Sequence, residues 1–457
     1  MPLRFSRSET QAPGPGTLSF FFSLPEFRRD PLRGFFDSAL RFGDVVRYRG
    51  LWTTHQLSHP DHIQRVLQTN AANYRKGRDY QILKLSLGEG LLTSEGALWE
   101  RQRKMTQPAF HSQQVAKFVS IMERHASAML DRWQVHADSS QPFDITPDLM
   151  HLTLNIASEA LFSTSLDADA AVIREVLDIG RDFSVDRAWS VIRLPHTWPT
   201  RRNREYRAAL GNFHAILDRV IAGRRQSAGR VPDLLTMLME ARDENGNPMS
   251  DRQLRDEFAT LLTAGHETTT LALAWTCFLL AQHPPIADRV VEEITFLCGR
   301  APAYDDLFRL KYTRSVIEES MRLYPPVWVI SRTAIAEDVI GPFRIPAGSE
   351  ILIFPYITHR HPQWWTEPDA FRPERFSSSH VARPRFAYLP FGAGPRTCVG
   401  LNFAMTEIQV VLALLLQRFQ LHLAMDPATV RAEPSVTLRP NPGVRLLLHK
   451  ISGGRPT

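Results

Sequence analysis

The stretch from Asp251 to Gln282 reads as one unbroken helix, and that single element constrains the fold more than any other. At 1.5 Å per residue it would extend roughly 50 Å, longer than most globular helices. Such a helix needs a large core around it, and a chain of 457 residues, 43% hydrophobic and 22% charged, can supply one. Helical spacing recurs over His62–Thr69, Gln113–Trp133, Leu149–Leu161, Ala170–Phe183, Tyr206–Arg225 and Arg314–Leu323. Over Leu401–Phe419 it places Ala404, Ile408, Val411, Leu415 and Phe419 on one stripe that should be buried. Strand signals are short: Val45–Tyr48, Glu350–Phe354 and Val444–Leu448, with a tight hairpin over Val339–Gly348. The expected class is mainly α with a small β region. The Pro-rich spots (Ala12–Gly16, Pro284–Pro285, Pro325–Pro326, Arg439–Pro442) are too short to be linkers, so one large domain organised by a bulky cofactor is expected.

Several function classes are disfavoured. There is no βα alternation, no GxGxxG after a strand and no Walker loop, which argues against nucleotide-binding α/β folds. The net charge is +6, but no Arg/Lys block carries interleaved aromatics, so no nucleic-acid partner is expected. Cys277, Cys298 and Cys398 form no CxxC pair, against a disulfide framework or structural zinc and in favour of a reducing compartment. No run reaches the roughly 18 apolar residues of a membrane span. Leu18–Leu24 is too short for one and lacks a signal-peptide cleavage pattern, so Phe20–Phe22 are expected to pack onto the fold of a soluble, cytoplasmic protein without a transmembrane anchor.

The chemistry concentrates around Cys398. The run Phe391-Gly392-Ala393-Gly394-Pro395-Arg396-Thr397-Cys398-Val399-Gly400 precedes the Leu401 helix. Its glycines and proline allow unusual backbone angles and close approach to a flat ligand. A cysteine just ahead of a helix meets amides and a dipole that favour an anion, and metal binding would hold it as thiolate. Cys277 and Cys298 have no such surroundings and read as structural.

This run fits F-x-x-G-x-R-x-C-x-G at Phe391, Gly394, Arg396, Cys398 and Gly400, and so resembles the haem-binding signature of the cytochrome P450 family. The resemblance extends from about Pro31 to His449. It implies the cytochrome P450 fold, a triangular helical prism around haem b with Cys398 as axial thiolate, over residues 31–449. Residues 1–30 would be an N-terminal extension, partly disordered, and 450–457 a tail.

Three upstream motifs share the resemblance. Ala264-Gly265-His266-Glu267-Thr268 resembles the acid–alcohol motif of the distal helix. Ala264 and Gly265 would leave room for O2, Gly265 at a helical cost of about 1 kcal/mol against Ala. Thr268 and Glu267 would relay protons. A Thr-rich helix alone reads equally well as packing; beside Cys398 the functional reading prevails. His266-Glu267 lacks the second histidine of HExxH, because position 270 is Thr, so zinc is not expected. Glu319 and Arg322 fit E-x-x-R and, with Arg375 in Phe371–Phe376 after His359–Pro362 and Trp365, would form a buried ion network serving folding and haem retention. Trp99 and Arg103, in W-x-x-x-R on a helix, together with Arg332 and Arg396, are the implied partners of the haem propionates; Arg101 and Lys104 should face solvent.

The implied activity is haem-thiolate monooxygenation of a lipophilic substrate such as a terpenoid, fatty acid or steroid, by a monomer. Electrons would come from a separate ferredoxin or flavodoxin with its NAD(P)H reductase, and Arg101, Lys104, Arg383 and Arg385 could form part of the docking face. Arg78–Leu92, Asp182–Ile192, Ala259–Thr263, Val327–Ile330 and Val436–Leu438 should line the pocket. A peroxygenase or rearrangement catalyst on the same fold, and a non-catalytic haem-thiolate sensor, are the alternatives.

Overall fold

The computed structural model describes residues 10–50, 52–190, 195–226, 233–242, 246–377 and 383–451. The chain forms two compact units, each assembled from three separate segments. The first takes Met1–Ile82, Val327–Ala370 and Val381–Cys398; the second takes Leu83–Pro326, Phe371–His380 and Val399–Thr457.

The first unit is built on a five-stranded sheet. Its strands are β1 (Val45–Arg49), β2 (Thr53–Leu57), β3 (Tyr74–Lys76), β4 (Ile330–Ala334) and, after the hairpin β5 (Asp338–Ile340) and β6 (Phe343–Ile345), β7 (Glu350–Ile353). The spatial order is β1-β2-β7-β4-β3. β1 and β2 are antiparallel, β2 runs parallel to β7, and β4 is antiparallel to both β7 and β3. Branched side chains fit this pleated surface, and Val45, Leu57, Ile63, Val66, Ile340, Ile345, Ile351 and Ile353 fill its core. Asp338, buried among them, accepts from Arg65 Nε (3.1 Å), Asn70 Nδ2 (3.0 Å) and the Tyr74 hydroxyl (2.6 Å), which joins the hairpin to the segment before β3. That segment begins as the expected helix but is α-helical only over Pro60–Gln64 and continues as a π turn over Arg65–Thr69.

Residues 1–9 of the expected extension lie outside the described residues. From Thr10, which bridges to Phe343, the chain is part of the first unit. It forms helices α1 (Thr17–Arg29) and α2 (Pro31–Phe42); Asp30 caps α2 by accepting the Arg33 N–H, and Pro31 occupies its first position. Phe20 packs on Phe27 and Tyr48, with ring centroids 5.8 and 5.2 Å apart. Phe22 is 85% exposed, contrary to expectation, because residues two apart on a helix point to different sides.

The second unit is mostly helical: α3 (Gly96–Thr106), α4 (Ser112–Ser139), α5 (Thr146–Phe162), α6 (Ala170–Trp189), α7 (Asp251–Gln282), α8 (Lys311–Leu323) and α9 (Leu401–Arg418) carry most of its core. α7 starts at a capping box in which Ser250 and Gln253 exchange hydrogen bonds, and it ends ahead of Pro284. It is buried on nearly every side from Leu254 to Ala281, and Trp275 stacks on Tyr324 with centroids 3.8 Å apart. α9 is likewise buried almost all round over Phe403–Leu416 rather than along one stripe, and Glu407 is enclosed there with neither carboxyl oxygen hydrogen-bonded. Phe419 leaves the helix to begin strand β8 (Phe419–Leu423). The unit also holds a hairpin of β9 (Arg431–Pro434) and β10 (Leu438–Asn441), and β11 (Arg445–Lys450), which pairs with β8 on one side and with the two-residue strand Phe143–Asp144 on the other. No helix among the described residues is long and apolar enough to cross a membrane.

Candidate functional site

In the first unit the cysteine loop closes on itself. The Phe391 carbonyl accepts the Cys398 N–H at 2.9 Å, and the Gly394 carbonyl accepts both the N–H (3.1 Å) and the hydroxyl (2.7 Å) of Thr397. Gly392 and Gly394 have φ of +66° and +70°, the left-handed region. A Cβ at Gly394 would lie 1.8 Å from the Leu67 carbonyl oxygen, so the loop lies against that backbone with no space for a side chain. His359, fully buried, accepts the Leu389 N–H on Nε2 at 2.9 Å and braces the start of the loop. The result is an exposed thiol on a closely fitted turn. Cys277 is the opposite case: it is buried, and burial pushes its thiol up to about 12.

A cationic cluster lies in the same unit. Arg332 on β4 stands directly opposite Lys76 on β3. Arg332 is 7% exposed, and its Nη1 donates to the Ser331 carbonyl at 2.8 Å. The Lys76 ammonium sits 4.2 Å over the Tyr80 ring. Burial raises the Tyr80 phenol, while the charges of Arg332 and Arg396 and a hydrogen bond with Arg332 oppose that rise. The neighbouring acid, Asp79, is half-buried as a residue, accepts from Ser331, and has its pKa raised by desolvation of its carboxyl. Opposed like charges across a ladder are unfavourable unless an anion lies between or beside them. Three cations with one desolvated acid suit the two carboxylates of a haem. A single thiol suits an iron already held by a macrocycle. Lys76 was missed in the sequence because it becomes conspicuous only once β3 and β4 are paired.

In the second unit, α7 has an opening in its buried surface. Ala264 is exposed and Thr268, one turn on, is half-buried, although Leu261, Leu262, His266, Glu267 and Thr269 around them are buried. The Thr268 hydroxyl donates to the Ala264 carbonyl at 2.7 Å. A Cβ at Gly265 would meet only the Ala157 Cβ of α5, at 4.0 Å. Burial pushes the imidazole of His266 down to about 4, so it is neutral.

Glu267 is 8% exposed and reaches the β9–β10 hairpin. Its Oε1 accepts from the Thr437 hydroxyl (2.7 Å) and from Arg439 Nη2 (2.8 Å) and Nε (3.1 Å). Burial alone would raise its pKa, but the Arg439 charge and the Thr437 and Arg439 hydrogen bonds outweigh that and hold it below the usual carboxylate value. No side-chain hydrogen bond joins Glu267 to Thr268. Arg439 had no local signal in the sequence.

Glu319, Arg322 and Arg375 form one buried ion network. Arg322 donates to both Glu319 oxygens (2.7 and 2.8 Å), Arg375 Nε to Oε1 at 3.3 Å, and the Arg372 N–H to Oε1 at 2.9 Å. Trp99 and Arg103 are half-buried on α3, four residues apart. Lys104 is exposed as expected, but Arg101 is half-buried, with its Nε enclosed. Of the segments expected to line a pocket, residues 191–194 lie outside the described residues.

Comparison with known proteins agrees with this geometry. A family model described as Cytochrome P450 matches residues 12–447. Among curated proteins, cyclooctatin synthase of Streptomyces melanosporofaciens is 36% identical over 92% of this chain and 89% of its own. Cyclooctat-9-en-7-ol 5-monooxygenase of the same organism is 34% identical over 91% of this chain and 90% of its own. The crystal structure of the cytochrome P450DA heme domain superposes with a TM-score of 0.87 at 26% identity, covering 98% of this chain and 99% of that one.

Proposed function

This chain belongs to the cytochrome P450 family, haem-thiolate monooxygenases, and we propose that it oxygenates a lipophilic, terpenoid-like substrate with electrons from a separate ferredoxin or flavodoxin. The observation that carries the catalytic reading is the glycine-bent loop that presents the exposed Cys398 thiol. Support for the substrate class comes from the two Streptomyces relatives, one named for acting on cyclooctat-9-en-7-ol, a ring alcohol.

Bound haem supplies the activation of O2 and the transfer of one oxygen atom to a substrate carbon. Cys398, as thiolate, would be the residue that ligates its iron. Arg332, Arg396, Trp99 and Arg103, with Lys76, would be the residues that hold the propionates. Phe391 begins the loop whose carbonyl fixes the Cys398 amide. Ala264, with Gly265 beside it, keeps the distal strip of α7 clear for O2. Thr268 passes protons, supplied through Glu267. The Glu319–Arg322–Arg375 network serves folding and haem retention.

Three measurements test this. Reduced, CO-bound protein should show the strongly red-shifted Soret band of a thiolate ligand, and Cys398→Ser should lose it. Persistence of the band in that variant would rule out the ligand. A spectral titration should give a substrate-type shift with cyclooctat-9-en-7-ol or another terpenoid at lower concentration than with fatty acids or steroids. A fatty acid binding most tightly would overturn the substrate class. For the electron donor, reduction by an acidic ferredoxin should slow as ionic strength rises.

A further inference from the structure

Glu267 is held from a part of the chain 172 residues away. Its hydrogen bonds come from Thr437 and Arg439, which flank Leu438 at the β9–β10 hairpin. Leu438 is itself fixed in place: its N–H donates to the Pro326 carbonyl (2.9 Å) and its carbonyl accepts the Trp275 indole N–H (3.0 Å). Arg439 is therefore presented by a rigid strand. It lies 3.9 Å from a second carboxylate, Asp178 of α6, which is also paired with Arg181 at 2.5 Å.

We propose that Arg439 is the positioning residue for proton delivery: it keeps Glu267 ionised and turned toward the hairpin until the carboxylate takes up a proton. The proposal rests on the reading of Glu267 and Thr268 as the proton path. In the delivery step Glu267 takes a proton from solvent hydronium, which leaves as water, and releases Arg439. It then passes that proton to the Thr268 hydroxyl, which gives up its own to the acceptor beyond. Glu267 ends as the carboxylate it began as, and Arg439 closes on it again. While released, Arg439 keeps a partner in Asp178, so its charge is not stranded.

The groups facing Glu267 are few. On α7 there is His266, neutral because burial depresses its pKa; on the hairpin, Thr437 and Arg439. From α6 come Asp178 with Arg181, and Arg174, whose charge acts on His266. Arg439 is the one cation bonded to the carboxylate. Without it a carboxylate this enclosed should bind a proton near neutrality.

The test compares R439Q, R439K, E267Q and the double variants E267Q/R439Q and E267Q/R439K as haem-loaded full-length proteins. The infrared carboxylic-acid band is read as the difference between each protein and its E267Q counterpart. The wild-type protein should show no Glu267 acid band at about pH 6 to 8, R439Q should show one, and R439K should not. Peroxide released per NADPH, with a surrogate ferredoxin and reductase and no added substrate, should rise about threefold or more in R439Q and stay near wild type in R439K. R439Q leaves Glu267 enclosed without its cation and should lose stability; E267Q/R439Q removes both ionisable groups and should regain it. Absence of the acid band in R439Q, or equal peroxide yields from R439Q and R439K, would overturn the proposal. E267Q with an unchanged peroxide yield would instead overturn the proton-path reading of Glu267, leaving the charge state assigned through Arg439 to stand on the infrared result.

Discussion

Lys76 and Arg332 stand directly opposite each other across an antiparallel ladder, two cations where strand pairing ordinarily avoids like charges. Arg396 acts on the same Tyr80 hydroxyl as Arg332, so the carboxylates of a bound haem would meet three cations here. Stability and cofactor affinity should therefore separate at this ladder.

Arg332→Gln should lower haem affinity without lowering the stability of the haem-free protein. The expected loss is about tenfold, measured as the rate of haem transfer to an excess of apomyoglobin. Haem-free R332Q should unfold at the same denaturant concentration as the parent or a higher one, because a like-charge contact has been relieved. A large fall in that midpoint would mean the arginine serves the sheet.

The Glu319 network should behave differently. Glu319 and Arg322 have no exposed surface, so Glu319→Gln leaves two guanidiniums without their carboxylate. The expected cost is about 3–5 kcal/mol, visible in denaturant unfolding of the haem-free protein as well as the loaded one. A loss confined to the loaded protein would contradict a folding role.

Thr268→Ala should retain haem and its CO spectrum while diverting reducing equivalents to peroxide. The hydroxyl's hydrogen bond is to the Ala264 carbonyl of its own helix, so its removal should cost little stability. Unchanged peroxide per NADPH would remove Thr268 from the proton path.

Glu257 predicts a pH dependence. It is fully buried on α7, accepts the Leu91 N–H at 3.1 Å, and burial pushes its pKa up to about 7, with Asp256 adding to the rise and the Leu91 bond opposing it. The folded protein thus binds this proton more tightly than the unfolded chain. Stability should be greatest below the ordinary glutamate value and should fall as pH rises through about 7, by up to about 3 kcal/mol. Glu257→Gln should flatten that slope in unfolding midpoints measured from about pH 5 to pH 8.

The parts of the fold that sequence disclosed are those whose signals are local. α7 matched end to end because Ser250, Gln253 and Pro284 mark its limits within a few residues. The cysteine loop was recognisable because Gly392 and Gly394 meet a backbone need written into adjacent positions. What stayed hidden is non-local. β3 is three residues long and carries no period, so the Lys76–Arg332 opposition could not be anticipated. Arg439 lies among prolines that read as punctuation, and only the folded hairpin brings it to Glu267. The full burial of α9 was missed because its apolar stripe is flanked by Glu407 and Gln409, polar residues that a sequence reading sends to solvent.

The segmented construction of the first unit carries a consequence for how the protein is made. β2 must wait for β7, and β3 for β4, and the last piece of the unit ends at Cys398. At about 5–20 residues per second, the amino-terminal strands leave the ribosome on the order of tens of seconds before their partners exist. Truncated chains ending anywhere before residue 353 should emerge with unpaired strand edges and precipitate, so chaperone supply during translation, more than the stability of the finished enzyme, should govern yield.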